Sequence, residues 1–228
     1  MLENWVAPEQ QQPLFLDRDG SEGIDARGAS WRNADLKEAN LSQAKLCRVD
    51  LRGADLSNAN LEGADLHLAR FDWATRWPRE FNHVSAGAVG PGARLNGQFF
   101  NGADLRGLDL RGASFLGAYL SGADLSGSVL DDVSFVGADL RNASFKGACC
   151  KRVRFGTSQL DLADFRGADL ENADFETADS IKGADFSYCK NFETMTTILL
   201  TRSSDQLDHW NPITRQTTRV SLQNLQGR

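Results

Sequence analysis

Leucine or phenylalanine recurs at every fifth position along most of this chain, with small and polar residues between. One run passes through Leu36, Leu41, Leu46, Leu51, Leu56, Leu61, Leu66 and Phe71. A second, in a shifted register, starts at Leu95 and continues through Phe100, Leu105, Leu110 and Phe115 to Phe175, with Ser180 as its last weak member. A period of five fits neither the 3.6 of a helix nor the alternation of a strand, so the chain must turn once per unit.

The flanking positions supply that turn. Alanine usually stands two residues before each apolar centre, as at Ala54, Ala103 and Ala168, and glycine or asparagine often stands two after it, as at Gly53, Asn58 and Gly122. A residue tolerant of positive φ there is what a type II turn requires at its second central position. Each unit is therefore a short extended piece and a corner. If coils stack at a strand spacing of about 4.8 Å, the centres form one continuous core. Leu51, Leu56, Leu61, Phe115, Phe135, Phe155 and Phe175 are expected inside it. The interval of 20 between Phe115, Phe135, Phe155 and Phe175 favours four units per coil and one shared aromatic column.

The Ala-Asp/Asn-Leu/Phe-x-x units, such as Ala54-Asp55-Leu56 and Ala168-Asp169-Leu170, resemble those of the pentapeptide-repeat family. The resemblance covers roughly residues 24–188. It implies an all-β solenoid, a right-handed quadrilateral parallel β-helix of about seven coils. Gln98, Leu108, Cys150 and Ser180 depart from the pattern, and local distortion is expected at each.

The organisation read from these patterns is an N-terminal cap over 1–23, repeat blocks over 24–71 and 93–188, an insertion over 72–92, and a C-terminal cap over 189–228. The insertion is expected as an ordered loop that leaves the solenoid and rejoins it, and it resembles the insertions of cyanobacterial members of the family. Trp73, Trp77 and Phe81 are expected to pack on the adjacent coil or to serve, with Arg76 and Arg79, as a binding loop on a rigid scaffold. A solenoid needs its ends covered. Trp5 and Leu14-Phe15-Leu16 suit that task at one end. At the other, partly helical stretches around Glu193 to Leu200 and Arg219 to Leu225 do so.

Net charge is −6, which argues against a general affinity for nucleic acid or anionic membrane. No apolar run reaches the roughly 18 residues of a membrane span, and Glu3, Glu9 and Gln10-Gln11-Gln12 replace the start of a signal peptide. Cys47, Cys149, Cys150 and Cys189 form no CxxC pair and are read as free thiols of a cytoplasmic protein. No metal site or cofactor is expected. Nor is a catalytic site: there is no phosphate loop, no GxSxG elbow and no histidine beside a nucleophile. The aspartates recur as part of the repeat.

Charge is banded. Arg141 to Phe155 is basic, whereas Gly156 to Phe186 is acidic and includes Asp164, Asp169, Asp174 and Asp179. The favoured function is a noncatalytic interaction or regulatory scaffold binding an unknown protein partner. The family resemblance implies an alternative, a DNA mimic that binds a type II topoisomerase (gyrase), for which these aspartates would imitate phosphates. The basic band breaks such a surface. A monomer is expected, or a dimer through the C-terminal end if Ile198, Leu199 and Trp210 lie exposed.

Overall fold

The computed structural model describes residues 23–226, so the N-terminal cap expected over 1–23 lies outside the described residues except for Gly23. The chain divides into two compact units that meet in sequence at Ala93 and Arg94.

Each corner has the local geometry that its residues dictate. In the unit centred on Leu51, the Ala54 amide donates to the Leu51 carbonyl at 2.9 Å, and Gly53 between them has φ of 73°. That is the hydrogen bond and the positive φ of a type II turn. Asn58, at φ 61°, does the same one unit later. The extended pieces between corners pair only with the coils before and after. The Asp50 amide donates to Ala29 at 2.9 Å and the Leu51 amide to Arg70 at 2.8 Å.

In the first unit these parallel bridges join residues 20 apart, as in Asp25 to Lys45 to Asp65 and Ser30 to Asp50 to Arg70. Four five-residue units therefore make one coil. Residues 72–92, expected as a loop leaving the solenoid, keep part of this pattern. Arg76 bridges Asp55 and Val89 bridges Arg70, at intervals of 21 and 19. Irregular sequence still completes a coil here because the backbone ladder asks only for extended residues at the right places.

In the second unit the 20-residue interval runs unbroken through Arg94, Ser114, Ser134, Arg154 and Asp174 on one side, and on the other three as far as Gln159, Asp164 and Asp169. Phe115, Phe135, Phe155 and Phe175 stack as one column, with ring centroids 5.1, 5.6 and 4.4 Å apart. A second column of Phe145, Phe165 and Phe186 meets it edge to face, for instance at 5.5 Å between Phe155 and Phe165. Each of these rings is fully buried, which stabilises the fold by about 1.5–3 kcal/mol per side chain. Leu51, Leu56 and Leu61 are buried in the first unit in the same way.

The final coil corrects the reading of Ser180 as a core position. One extra residue at Asp179 lengthens the interval to 21, so that Ser180 bridges Gln159 and Ile181 enters the core. Ser180 instead donates its hydroxyl to Asp161. Cys150 and Leu108 occupy a centre and an alanine position respectively and remain buried. Gln98, also in place of alanine, leaves its buried Oε1 without a hydrogen bond.

Beyond the repeats follow α1 (Glu193–Leu199), α2 (Ser204–Leu207), β1 (Trp210–Asn211), β2 (Gln216–Thr217) and α3 (Thr218–Gln226), with β1 and β2 paired antiparallel. This segment supplies partners for the last coil's backbone. Arg202 donates to the carbonyls of Phe175, Glu176 and Ala178 at 3.1, 3.0 and 2.8 Å. Asn211 donates to Gly183, Thr218 to Ile181, and the Phe186 amide donates to Ser221.

Candidate functional site

The irregular coil of the first unit carries a cleft of about 370 Å³ lined by Phe71, Asp72, Trp73, Thr75, Trp77, Pro78, Arg79, Phe81, His83 and Pro91. Its floor is set by local polar bonds. The Asp72 carboxylate accepts from the Gly53, Ala74 and Thr75 amides and from the Thr75 hydroxyl, at 3.0 to 3.1 Å. The Thr75 hydroxyl also lies 3.0 Å from the Leu51 carbonyl. Asp72 is thus consumed in fixing the turn.

The wall is aromatic. Trp77 stacks on His83 at 5.3 Å and on Phe81 at 5.6 Å, and meets the Phe71 edge at 5.6 Å. A turn bond from the Phe81 amide to the Pro78 carbonyl, 3.0 Å, folds these residues together. Gly90 lies against Phe71 so closely that a Cβ would stand 2.7 Å from the Phe71 carbonyl oxygen. Burial pushes the His83 imidazole below its ordinary value, so it is neutral at neutral pH. The Trp77 Nε1 donor is buried with no acceptor. Trp73 is 70% exposed, and Arg79 is exposed at the cleft.

Four of the five residues singled out in the insertion, Trp73, Trp77, Arg79 and Phe81, line this one cleft. Arg76 does not. It belongs to the bridge with Asp55 and pairs with that carboxylate at 3.4 Å. His83, Pro78 and Pro91 complete the lining. Sequence offered no sign of His83, an isolated histidine with no ligand spacing.

The four aspartates chosen as a charged surface are not brought together. Successive units face successive sides, so Asp164, Asp169 and Asp174 bridge in three different columns, and Asp179 lies beside Ser180 in the fourth. Asp164 is buried and bound by Arg166 and Lys146 at 2.7 and 3.2 Å. Asp169 accepts from Asn191 at 2.8 Å and pairs with Lys151 at 3.4 Å. Asp174 is exposed and accepts from the Glu176 amide.

A recurrent pairing lies behind this. Wherever Asp precedes a centre and Arg follows it, the guanidinium reaches back across two residues and grips both carboxylate oxygens. It does so at Asp25/Arg27, Asp50/Arg52, Asp104/Arg106, Asp109/Arg111, Asp139/Arg141 and Asp164/Arg166. Much of the acidic charge along the repeats is neutralised where it stands.

The cysteines are free. Burial, with Asp131 beside it, pushes the Cys149 thiol up to about 11, and burial raises Cys47, Cys150 and Cys189 as well. These are protonated, unreactive thiols at neutral pH. Among the described residues no cluster of His, Cys, Asp and Glu is placed to hold a metal ion, and no helix is long and apolar enough to cross a membrane.

The family described as pentapeptide repeats matches residues 22–53, 48–75, 92–127, 118–156 and 158–190, in 8 copies. The unmatched 76–91 hold most of the cleft wall. No curated protein matches the chain. Among solved structures, similarity extends to a pentapeptide repeat protein of the Arabidopsis thaliana thylakoid lumen, at 27% identity over 57% of this chain and 87% of that one, with a TM-score of 0.43. It extends also to HetL of the cyanobacterium Nostoc, a pentapeptide repeat protein involved in heterocyst differentiation regulation, at 23% identity over 74% and 87%, TM-score 0.26. QnrB1, a plasmid-mediated fluoroquinolone resistance protein, matches at 20% identity over 82% and 93%, TM-score 0.29.

Proposed function

The chain belongs to the pentapeptide-repeat family, and on that footing we propose that it is a noncatalytic protein-interaction module. Its repeats form the right-handed, four-sided scaffold of about seven coils, closed by caps, and its recognition site is the aromatic cleft of residues 71–91. The observation that carries this reading is the cleft itself. Trp73, Trp77, Phe81 and Arg79 stand together on a rigid coil, and Trp and Arg are the residue types on which protein interfaces concentrate their binding energy. A cytoplasmic location belongs to the same proposal.

The alternative, mimicry of DNA toward a type II topoisomerase, needs an uninterrupted acidic face. The Asp/Arg forks weigh against it, as do the cross-coil pairs Lys146 to Asp164 at 3.2 Å and Arg152 to Asp132 at 2.8 Å. The chain is a monomer or a dimer through its C-terminal end, where Ile198, Trp210 and Ile213 are exposed. Leu199, expected among these, is buried.

The test is affinity capture from the native cell extract with the full chain and with Trp73→Ala/Phe81→Ala. Removing 73–92 outright would break the bridges at Arg76 and Val89, so point changes are the cleaner probe. A partner retained by the wild type and lost from the variant supports the reading. Identical captures sink it.

A further inference from the structure

The charge in the cleft specifies what kind of segment it takes. Of its ionisable lining groups, Asp72 is fixed through Oδ1 by four donors of the turn and the neighbouring coil, and His83 is neutral through burial. Arg79 is left, exposed and with no carboxylate partner among the described residues. This contrasts with the repeats, where arginines such as Arg52, Arg106 and Arg141 are bound by the aspartate two residues earlier. Residue 77, two before Arg79, is tryptophan, so the fork is unavailable and the Arg79 guanidinium lies at the cleft with no carboxylate gripping it.

The remaining surface is largely apolar. Half-buried Trp77, Pro78 and Phe81 offer ring surface beside exposed Trp73, over a base of buried Phe71 and Pro91. Aromatic grooves of this composition suit extended, low-entropy segments that bring a ring or branched side chain.

We propose that the cleft binds an extended, acidic segment of a partner polypeptide, seating a proline or leucine side chain against Trp77 and Phe81 and an Asp or Glu carboxylate on Arg79. This rests on the interaction reading above and names the chemistry of its partner. Single-stranded nucleic acid would also use rings and cations, but it needs a track of several cations. Here Arg79 stands as one, on a chain of net charge −6.

The experiment is selection of a random nonapeptide phage library on the intact full chain, followed by fluorescence anisotropy with the selected peptides synthesised. The expected result is enrichment of peptides with Asp or Glu beside proline or leucine. Their binding weakens about tenfold or more in Arg79→Glu, weakens with added salt, and is partly restored when the peptide acid is changed to lysine. Arg79 is exposed, so this variant keeps its fold, and circular dichroism verifies it. Phe81→Ala is the second variant and must also weaken binding. Enriched peptides without an acid, affinity indifferent to Arg79→Glu, an empty selection, or tight binding of oligo(dT) each overturn the proposal. Such a failure alongside a cleft-dependent capture leaves the interaction reading standing. Acidic peptides that bind while the capture finds no cleft-dependent partner would uphold the cleft's chemistry and remove the cellular partner.

Discussion

The Phe175 ring lies on that of Phe155 with centroids 4.4 Å apart and planes inclined by 25°. Phe155 also contacts Phe135, Phe145 and Phe165, so it stands where the two aromatic columns interlock. Truncating it removes contacts on four sides, and the flanking coils are tied by their ladders and cannot collapse into the space. Phe155→Ala is expected to cost about 3–5 kcal/mol, and Phe155→Leu distinctly less. Urea unfolding of the two variants measures the difference.

Acid should unfold the protein through its forks. The Arg141 fork, opposed by partial burial, holds the Asp139 carboxyl below the usual carboxylate range. Burial raises that of Asp164, but its bonds to Arg166 outweigh this and the net direction is again downward. Asp50 behaves likewise beside Arg52. A depressed native pKa contributes stability that is complete above the unfolded value, about 3.9, and lost as pH falls through the native one. The midpoint of urea unfolding should therefore be flat from pH 7 to about 5 and fall steeply below about 4. Asp164→Asn should flatten that fall.

Arg202 is held by three backbone carbonyls of the last coil. Hydrogen bonds from a charged donor contribute about 1.5–3 kcal/mol. Arg202→Ala is expected to lose an amount of that order and to raise amide hydrogen exchange selectively over residues 175–190. Protection unchanged there would show that the C-terminal segment holds the coil by apolar contacts alone.

Thr157 occupies a corner at φ 51°, a conformation that costs a residue with a Cβ about 1–2 kcal/mol. Thr157→Gly relieves this strain at the expense of glycine's greater freedom when unfolded, roughly 0.5–1 kcal/mol. Thermal unfolding should show a small net gain. Gly122→Val, at φ 69°, should move the other way.

Charge neutralisation along the repeats leads to a functional expectation. Micromolar concentrations of the chain should leave DNA supercoiling by gyrase unchanged. Inhibition comparable to that by a DNA competitor would restore the mimic reading and displace the cleft as the principal site.

The corner chemistry was legible because it is local. Gly53 or Asn58 adopts positive φ for reasons contained within its own five residues, and the 20-residue interval of the phenylalanines exposed the number of units per coil. The slip at Ser180 was harder to see, since one inserted residue costs nothing in sequence pattern while moving Ile181 into the core. For the acidic residues, the five-residue spacing that made Asp164, Asp169, Asp174 and Asp179 look like a series is the spacing that sends them to different sides.

The sequence by itself determined the repeating coil, its apolar centres and its turns, because period, side-chain size and φ tolerance act over a handful of residues. It also placed Trp73, Trp77, Arg79 and Phe81 within one short stretch. Only the tertiary structure decided that Pro91 and His83 close the same cleft and that Asp72 is spent on Gly53 across the coil boundary. It likewise decided which carboxylates are neutralised. Those outcomes depend on which residues lie above one another in adjacent coils, and that stacking is a property of the closed turn and not of the linear chain.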